Sequence, residues 1–155
     1  MVNQGVTMMT TDRRFPKTVR EVMTSAPMTV TPQTRFDELY ELFARHDVGA
    51  FPVVSDDGVL LGLVTKLDLL RAFAREQANP KAADLPAEPA SRLMRPGILS
   101  IEADNTATSA LELMVETRLQ SLPVVHRGPG APVLVGMVSR GDLLRGLVAP
   151  AAAAH

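Results

Sequence analysis

The sequence predicts an α+β protein built from two pseudo-symmetric copies of a β-α-β-β-α unit, packed through their small sheets. Three observations predict this class: the chain repeats itself, apolar strand-like runs alternate with amphipathic helical segments, and each sheet is too small to bury both faces alone. Hydrophobic residues make up 46% of the 155 residues, which is enough for a packed core.

The internal repeat appears when the chain is laid over itself. Val22–Ser55 aligns with Leu93–His126, and Val59–Arg71 aligns with Val133–Arg145. Of the 47 aligned positions, 14 carry the same residue. The second copy has extra residues in the Gly/Pro-rich loop His126–Pro132, where insertions cost little. We therefore divide the chain into a flexible leader (1–17), a first repeat (18–75), a linker (76–89), a second repeat (90–148) and a tail (149–155).

The first repeat opens with a short strand and a helix. Met28–Val30 is the predicted strand, and Thr34 is the predicted N-cap of the helix that follows. Apolar side chains then recur at helical spacing, at Phe36, Leu39, Tyr40 and Phe43.

A hairpin and a second helix complete the first repeat. Phe51–Val54 and Val59–Val64 are apolar runs on either side of the turn sequence Ser55–Gly58, which predicts a β-hairpin. The second helix opens at Thr65 and carries apolar side chains at Leu69, Leu70 and Phe73.

The second repeat predicts the same order of elements. Its strands are Leu99–Ile101, Leu122–Val125 and Val133–Val138, and its last helix opens at Ser139. The helix between the first two strands carries its apolar residues at Ala107, Ala110, Leu111 and Met114.

Composition excludes several classes of function. The absence of cysteine rules out disulfides and thiolate chemistry and fits a cytoplasmic protein. A net charge of −1 with only 4% aromatic residues argues against nucleic-acid binding. No apolar run approaches the roughly 18 residues of a membrane span, so we expect no membrane partner.

Catalytic and metal sites are not indicated. His46, His126 and His155 have no second ligand at metal-binding spacing. The sequence has no nucleophile elbow, Walker loop or dinucleotide-binding glycine motif, and its carboxylates show no catalytic pairing. We therefore expect a protein that is not an enzyme and needs no cofactor.

One polar motif occurs in both repeats, at the start of the last helix. It reads Ser/Thr-x-x-Asp and places Thr65 with Asp68, and Ser139 with Asp142. One interpretation is a helix cap, in which hydroxyl and carboxylate satisfy backbone N–H groups. The other is a nucleotide site, in which the carboxylate accepts ribose hydroxyls and the helix start binds phosphate. Lys66 and Arg140 lie inside the motifs and would add charge-assisted contacts.

A second motif precedes the buried strand of each repeat. It reads Val48-Gly49-Ala50 in the first copy and Leu119-Gln120-Ser121 in the second. Small residues here either let a flat ring approach the backbone or simply permit a tight turn between helix and strand.

Taken in order, these motifs resemble the CBS domain. The first copy carries the resemblance through Val-Met-Thr at 22–24, Val48–Val54, Asp57-Gly58 and Leu61–Leu70. The second carries it through Leu93-Met94, Leu122–Val125 and Val135–Leu144. The likeness covers about Thr18–Val148, and although each motif alone is common, the ordered set occurring twice is specific.

The resemblance implies a CBS pair, or Bateman module, with two pseudo-symmetric clefts between the repeats. Members of the family bind AMP, ADP, ATP, NAD or S-adenosylmethionine there, and two modules typically associate as a disk-shaped homodimer. The implied function is a non-enzymatic regulatory module with an adenine nucleotide as regulatory ligand and an unidentified protein effector. The alternative is a structural or protein-interaction module whose clefts are vestigial; the presence of both Asp68 and Asp142 counts against it.

The resemblance also implies the residues of each cleft. Asp68 and Asp142 would hold the ribose, and the Thr65 and Ser139 hydroxyls the phosphate. Each cleft would be completed by the opposite repeat. The cleft of Ser139 and Asp142 would be lined by Met23, Met28, Val48, Gly49 and Ala50. The cleft of Thr65 and Asp68 would be lined by Met94, Leu99, Leu119, Gln120 and Ser121. Gln120 replaces a glycine of the family pattern, so the Asp142 cleft, with the Gly49-Ala50 wall, is expected to bind better.

Overall fold

The computed structural model of the chain describes residues 17–80, 84–95 and 97–148. Apart from Lys17, the predicted leader and tail lie outside the described residues. The described chain divides into two units, which do not coincide with the two sequence repeats. One, the Asp142 unit, comprises 17–27, 100–126 and 135–148; the other, the Asp68 unit, comprises the described residues of 28–99 and 127–134.

The elements confirm the α+β class, and each repeat contains the predicted succession of helix, two strands and helix after a short first strand. A short helix that the sequence did not predict opens each repeat. The first half of the chain contains α1 (Val19–Val22), β1 (Thr24–Ser25), α2 (Phe36–Arg45), β2 (Ala50–Val54), β3 (Leu60–Thr65), α3 (Lys66–Ala78) and a 3₁₀ turn (Leu85–Ala87). The second half contains α4 (Ala90–Leu93), β4 (Ile101–Glu102), α5 (Ala107–Thr117), β5 (Ser121–His126), β6 (Val133–Ser139) and α6 (Arg140–Val148). No helix in the described ranges is both long and apolar enough to cross a lipid bilayer.

The Asp68 unit is organised around the predicted hairpin. Strands β2 and β3 pair antiparallel, with Ala50 opposite Thr65 at the end next to α3. Phe51 is buried on this hairpin and its ring lies 4.7 Å from that of Phe43 on α2. The apolar face of α2 therefore covers one side of the hairpin, and Leu39 is fully buried beside it.

The Asp142 unit contains a four-stranded sheet in the order β1-β6-β5-β4. The pairing of β1 with β6 is antiparallel, and that of β4 with β5 is parallel, with Ile101 opposite Val124. Leu122, Val124 and Val138 are fully buried in the core of this sheet.

The first residues of each repeat pack in the unit built mainly from the other repeat. Thr24, near the start of the first repeat, pairs with Met137 of β6, and Arg95, near the start of the second, bridges to Leu63 of β3. Glycine allows both close approaches, and at Gly136 the neighbouring atom is a backbone oxygen that cannot easily move. A Cβ atom at Gly136 would come within 2.8 Å of the Thr24 carbonyl oxygen, and one at Gly62 would overlap the Met94 side chain.

Three local predictions need correction. Thr34 is not the N-cap of α2, because its hydroxyl accepts the Thr31 N–H at 3.0 Å in the preceding turn. The helix instead begins at Phe36, where the Glu38 carboxylate accepts the Arg35 N–H at 2.9 Å. The predicted strand Met28–Val30 reduces to one bridge, between Val30 and Val53.

The third correction concerns apolar residues placed on the buried faces of helices. Tyr40 on α2 and Leu70 on α3 are 61% and 63% exposed. Phe73 on α3 and Leu111 on α5 are exposed as well. These residues do recur at helical spacing. The face of each helix that the hairpin or sheet buries is narrower than the apolar face predicted from the sequence.

Candidate functional site

Asp68 is the centre of the candidate site in its unit. It lies in the first turn of α3, which begins where β3 ends, and is only 4% exposed. Its Oδ2 accepts hydrogen bonds from the Thr65 N–H at 2.8 Å and from the Thr65 hydroxyl at 2.9 Å. The Asp68 N–H is within 3.2 Å of the same hydroxyl oxygen. The local arrangement is the predicted capping box, and it occupies one of the two carboxylate oxygens.

The other oxygen of Asp68 receives two arginines that the sequence analysis did not single out. Arg71, one turn along α3, donates from Nη1 at 3.4 Å, and Arg95 approaches with Nε at 3.3 Å. Both guanidinium groups are about half exposed while the carboxylate is 3% exposed. The site therefore presents two half-exposed positive charges around one buried negative charge. The spacing of Arg71 from Asp68 was a usable signal, since i and i+3 share a helix face; the position of Arg95 had none.

Asp142 occupies the same place in the other unit. It lies in the first turn of α6, it is 7% exposed, and its Oδ2 accepts the Ser139 N–H at 2.9 Å. The Asp142 N–H donates to the Ser139 hydroxyl at 3.1 Å. Its Oδ1 is paired with Arg145 at 2.6 Å. The Thr24 hydroxyl lies 3.4 Å from each carboxylate oxygen, a long and therefore weak contact.

Arg140 makes hydrogen bonds that the sequence did not indicate, and its predicted contact with a phosphate stays a prediction. Its guanidinium donates to the carbonyl oxygens of Arg118 at 2.9 Å and Leu119 at 3.2 Å. Its N–H donates to the Gln120 carbonyl at 3.1 Å. Arg140 thus fixes the end of α5 against the start of α6, where the left-handed residue Arg118 (φ 62°) closes the helix. Lys66, the equivalent residue in the other unit, is exposed.

Each helix-to-strand turn packs within its own unit, beside the Ser/Thr-x-x-Asp motif of its own repeat. Ala50 is opposite Thr65 in the hairpin, so Val48 and Gly49 lie near the start of α3; their predicted contribution to the cleft of Asp142 stays a prediction. Likewise the hydrogen bonds of Arg140 hold Leu119, Gln120 and Ser121 in the Asp142 unit. The physical reason is that antiparallel neighbours bring the start of one strand next to the end of the other.

The methionines follow a separate pattern. Met23 contacts the Gly136 position in the Asp142 unit, and Met94 contacts the Gly62 position in the Asp68 unit. Met28 and Leu99 are exposed, and both belong to the Asp68 unit. Whether these side chains touch a ligand stays a prediction.

A groove of about 510 Å³ in the Asp68 unit is lined by none of the predicted nucleotide-binding residues. Its walls are Thr29–Thr31 and the outer face of α2, with Asp37, Glu41 and Arg45. The Arg35 guanidinium, hydrogen-bonded to Asp37, lowers the pKa of that carboxyl below its ordinary value. Within the described ranges, no group of three or more histidine and carboxylate side chains is placed to hold a metal ion.

Comparison with known proteins gives a consistent family. The CBS domain model matches the chain twice, at residues 19–75 and 90–149. The chain is 32% identical over 126 residues to the CBS domain-containing protein YhcV of Bacillus subtilis, covering 81% of each chain. It is 27% identical over 132 residues to hypoxic response protein 1 of Mycobacterium tuberculosis, covering 84% of this chain and 85% of that protein.

Solved structures agree with the sequence comparisons. The fold is similar to that of CBSX2 of Arabidopsis thaliana, solved as a complex with AMP. The TM-score is 0.71 with 30% sequence identity, covering 83% of this chain and 94% of that one.

Proposed function

Because this chain belongs to the CBS domain family, we propose that it is a non-enzymatic regulatory module that binds an adenine nucleotide at the Asp68 and Asp142 sites. The observation that carries the proposal is the buried carboxylate at the start of a helix in each unit, flanked by a half-exposed or exposed arginine. The AMP complex of CBSX2, which is 30% identical to this chain, supports an adenine nucleotide, and AMP, ADP, ATP and NAD are the candidates.

The geometry suggests how such a ligand is held. Each carboxylate uses Oδ2 for its own helix start, and Oδ1 is paired with an arginine that a ligand can displace. A ribose offers two adjacent hydroxyl donors to this oxygen pair. The phosphate would then lie near the exposed guanidinium one turn along the helix, Arg71 or Arg145, and near the helix N-terminus, which favours anions.

The first test is the contribution of Asp142 to affinity. Replacing Asp142 with alanine removes a charged acceptor of the ribose hydroxyls, so AMP should bind that site about 1.5–3 kcal/mol more weakly. Isothermal titration calorimetry of the wild-type and Asp142→Ala proteins with AMP measures this loss of affinity directly. Asp68→Ala should have the corresponding effect at the other site.

A matched control is available in the same unit. Asp104 is exposed and forms an ion pair with Arg20 at the surface, so Asp104→Ala should leave AMP affinity unchanged. Equal affinities for wild type, Asp142→Ala and Asp68→Ala would contradict the assignment. If wild-type protein shown free of bound nucleotide gives no thermal shift with AMP, ADP, ATP or NAD, the alternative of an interaction module with vestigial sites is favoured.

We further propose that two copies of the chain associate, as the family resemblance implies. Helix α3 presents a row of exposed apolar side chains at one-turn spacing, Leu67, Leu70 and Phe73. Exposed apolar rows of this kind are typical of surfaces that a partner covers. A ligand that prefers one arrangement of the module would then bias this association or the binding of a separate effector.

The mass in solution tests the dimer. We expect wild-type protein to elute in light-scattering chromatography at twice the chain mass of 16.7 kDa, and Leu70→Glu to elute at the single-chain mass, because a charge in an apolar interface is unfavourable. Gln33→Glu adds the same charge at an exposed turn and should leave the mass doubled. A wild-type protein at the single-chain mass would contradict the proposal.

A further inference from the structure

We propose that Arg95 is a specificity-determining residue: it makes the Asp68 site select phosphorylated ligands over the uncharged nucleoside, whereas the Asp142 site lacks this selectivity. The inference rests on the proposed function and adds the ligand preference of each site. It follows from a difference between two positions that are otherwise equivalent in the fold.

Arg95 and Thr24 are equivalent by sequence and by backbone pairing. Each follows a methionine, Met94 or Met23, near the start of its repeat. Arg95 forms an antiparallel bridge with Leu63, and Thr24 pairs antiparallel with Met137. Because Leu63 and Met137 are aligned positions of β3 and β6, the two side chains start from the same place relative to the carboxylate of their unit.

The two side chains leave the carboxylates in different states. Asp68 accepts three hydrogen bonds, two from Thr65 on Oδ2 and one from Arg71 on Oδ1, and Oδ1 also forms an ion pair with Arg95 at 3.3 Å. The oxygen that the helix start leaves unused is therefore covered by two guanidinium groups. A ribose hydroxyl reaching Asp68 must therefore displace a guanidinium group.

Displacement of Arg95 is unfavourable unless the guanidinium finds another anion. The Arg95 side chain is 54% exposed, so it is free to turn toward a bound ligand. A phosphate accepts a guanidinium in a bidentate, charge-assisted arrangement, which replaces the interaction lost at Asp68. An uncharged nucleoside offers no such acceptor, and the loss is then not recovered.

The Asp142 site does not impose this requirement. Thr24 is neutral and lies 3.4 Å from both carboxylate oxygens, so a ribose hydroxyl replaces a weak contact. Arg145 stands at the position of Arg71 and therefore does not distinguish the two sites. The difference in selectivity is assigned to Arg95 alone.

The experiment isolates each site and compares two ligands. In Asp142→Ala protein, only the Asp68 site remains intact, and calorimetry gives the dissociation constants for AMP and adenosine. Adding Arg95→Thr should lower the ratio of the adenosine dissociation constant to the AMP dissociation constant about tenfold, because AMP loses one charge-assisted interaction that adenosine never made. Arg95→Lys keeps the charge and should retain most of the ratio, which a purely structural role would not predict.

The second background supplies the controls. In Asp68→Ala protein, Arg95→Thr should leave the ratio unchanged, and Thr24→Arg should raise it. If Asp142→Ala does not fold, Asp142→Asn replaces it, since the amide oxygen still accepts the Ser139 N–H. For Asp68→Ala, Asp68→Asn is the corresponding substitute.

The outcomes separate this inference from the proposed function. Suppose that AMP binds the Asp142→Ala protein, but Arg95→Thr changes the ratio of the adenosine and AMP dissociation constants by less than about twofold, against the roughly tenfold expected. The role of Arg95 is then overturned and the proposed function stands. If AMP binds wild type but not the Asp142→Ala or Asp142→Asn protein, the Asp68 site is not a nucleotide site and the inference also fails. If neither AMP nor adenosine binds the wild-type protein, both proposals fall.

Discussion

Replacing Val19 with aspartate is expected to lower the free energy of unfolding of the Asp142 unit by about 4 kcal/mol or more. Val19 is fully buried in the core of that unit. Its N–H donates to the Asn105 carbonyl at 2.8 Å, so the backbone there is held and the side chain has no easy route to solvent. An unpaired carboxylate at this position has to be desolvated with no partner.

Amide hydrogen exchange measures the loss of stability and also tests whether the start of the first repeat packs in the Asp142 unit. Although Val19 lies at the start of the first repeat, its substitution should accelerate amide exchange at Leu122 and Val124, in the second repeat. Val115→Asp is the matched control, because Val115 belongs to the same unit and is 70% exposed; it should change the free energy of unfolding by no more than about 0.5 kcal/mol. Accelerated exchange confined to the first repeat would show that the segment packs elsewhere.

Replacing Phe51 with alanine is expected to lower the free energy of unfolding by about 3–5 kcal/mol. Phe51 is 1% exposed and contacts the ring of Phe43 at 4.7 Å between centroids. The substitution removes buried apolar surface and leaves a cavity between α2 and the hairpin, which close packing on both sides prevents from collapsing fully. Urea unfolding followed by circular dichroism gives the change in free energy.

Tyr40 provides the comparison for Phe51, since it is an aromatic residue of the same unit that is 61% exposed. Tyr40→Ala should change the unfolding free energy by no more than about 0.5 kcal/mol. A similar loss for both variants would mean that the apolar strip of α2 predicted from the sequence, rather than the narrower strip in the structure, is buried.

Local sequence patterns were sufficient for most of the elements. The β-branched run Phe51–Val54, the turn after it and the second strand predict the hairpin that is observed as β2 and β3. Sequence patterns were less accurate where a nearby backbone group competes for the same side chain. Thr34 has the chemistry of an N-cap, but the Thr31 N–H lies nearer and takes its hydroxyl.

The residues of the candidate site likewise divide into those that the sequence predicted and those that only the structure revealed. Thr65 with Asp68, and Ser139 with Asp142, were found from the sequence because their hydrogen bonds run between residues three apart on one helix turn. Arg95 at Asp68 and Thr24 at Asp142 were not found, since 27 and 118 positions separate the partners.

The sequence by itself determined the repeat, the succession of helix, two strands and helix within each copy, and the two helix starts that carry Asp68 and Asp142. Only the tertiary structure decided which strand edge the first residues of each repeat join, and therefore whether Thr24 or Arg95 meets a given carboxylate. The physical reason is that backbone hydrogen bonds along a strand edge are the same for any segment that can extend. The choice is made by the space over Gly62 and Gly136 and by the core that receives Val19, and neither is encoded within a few residues of the segment itself.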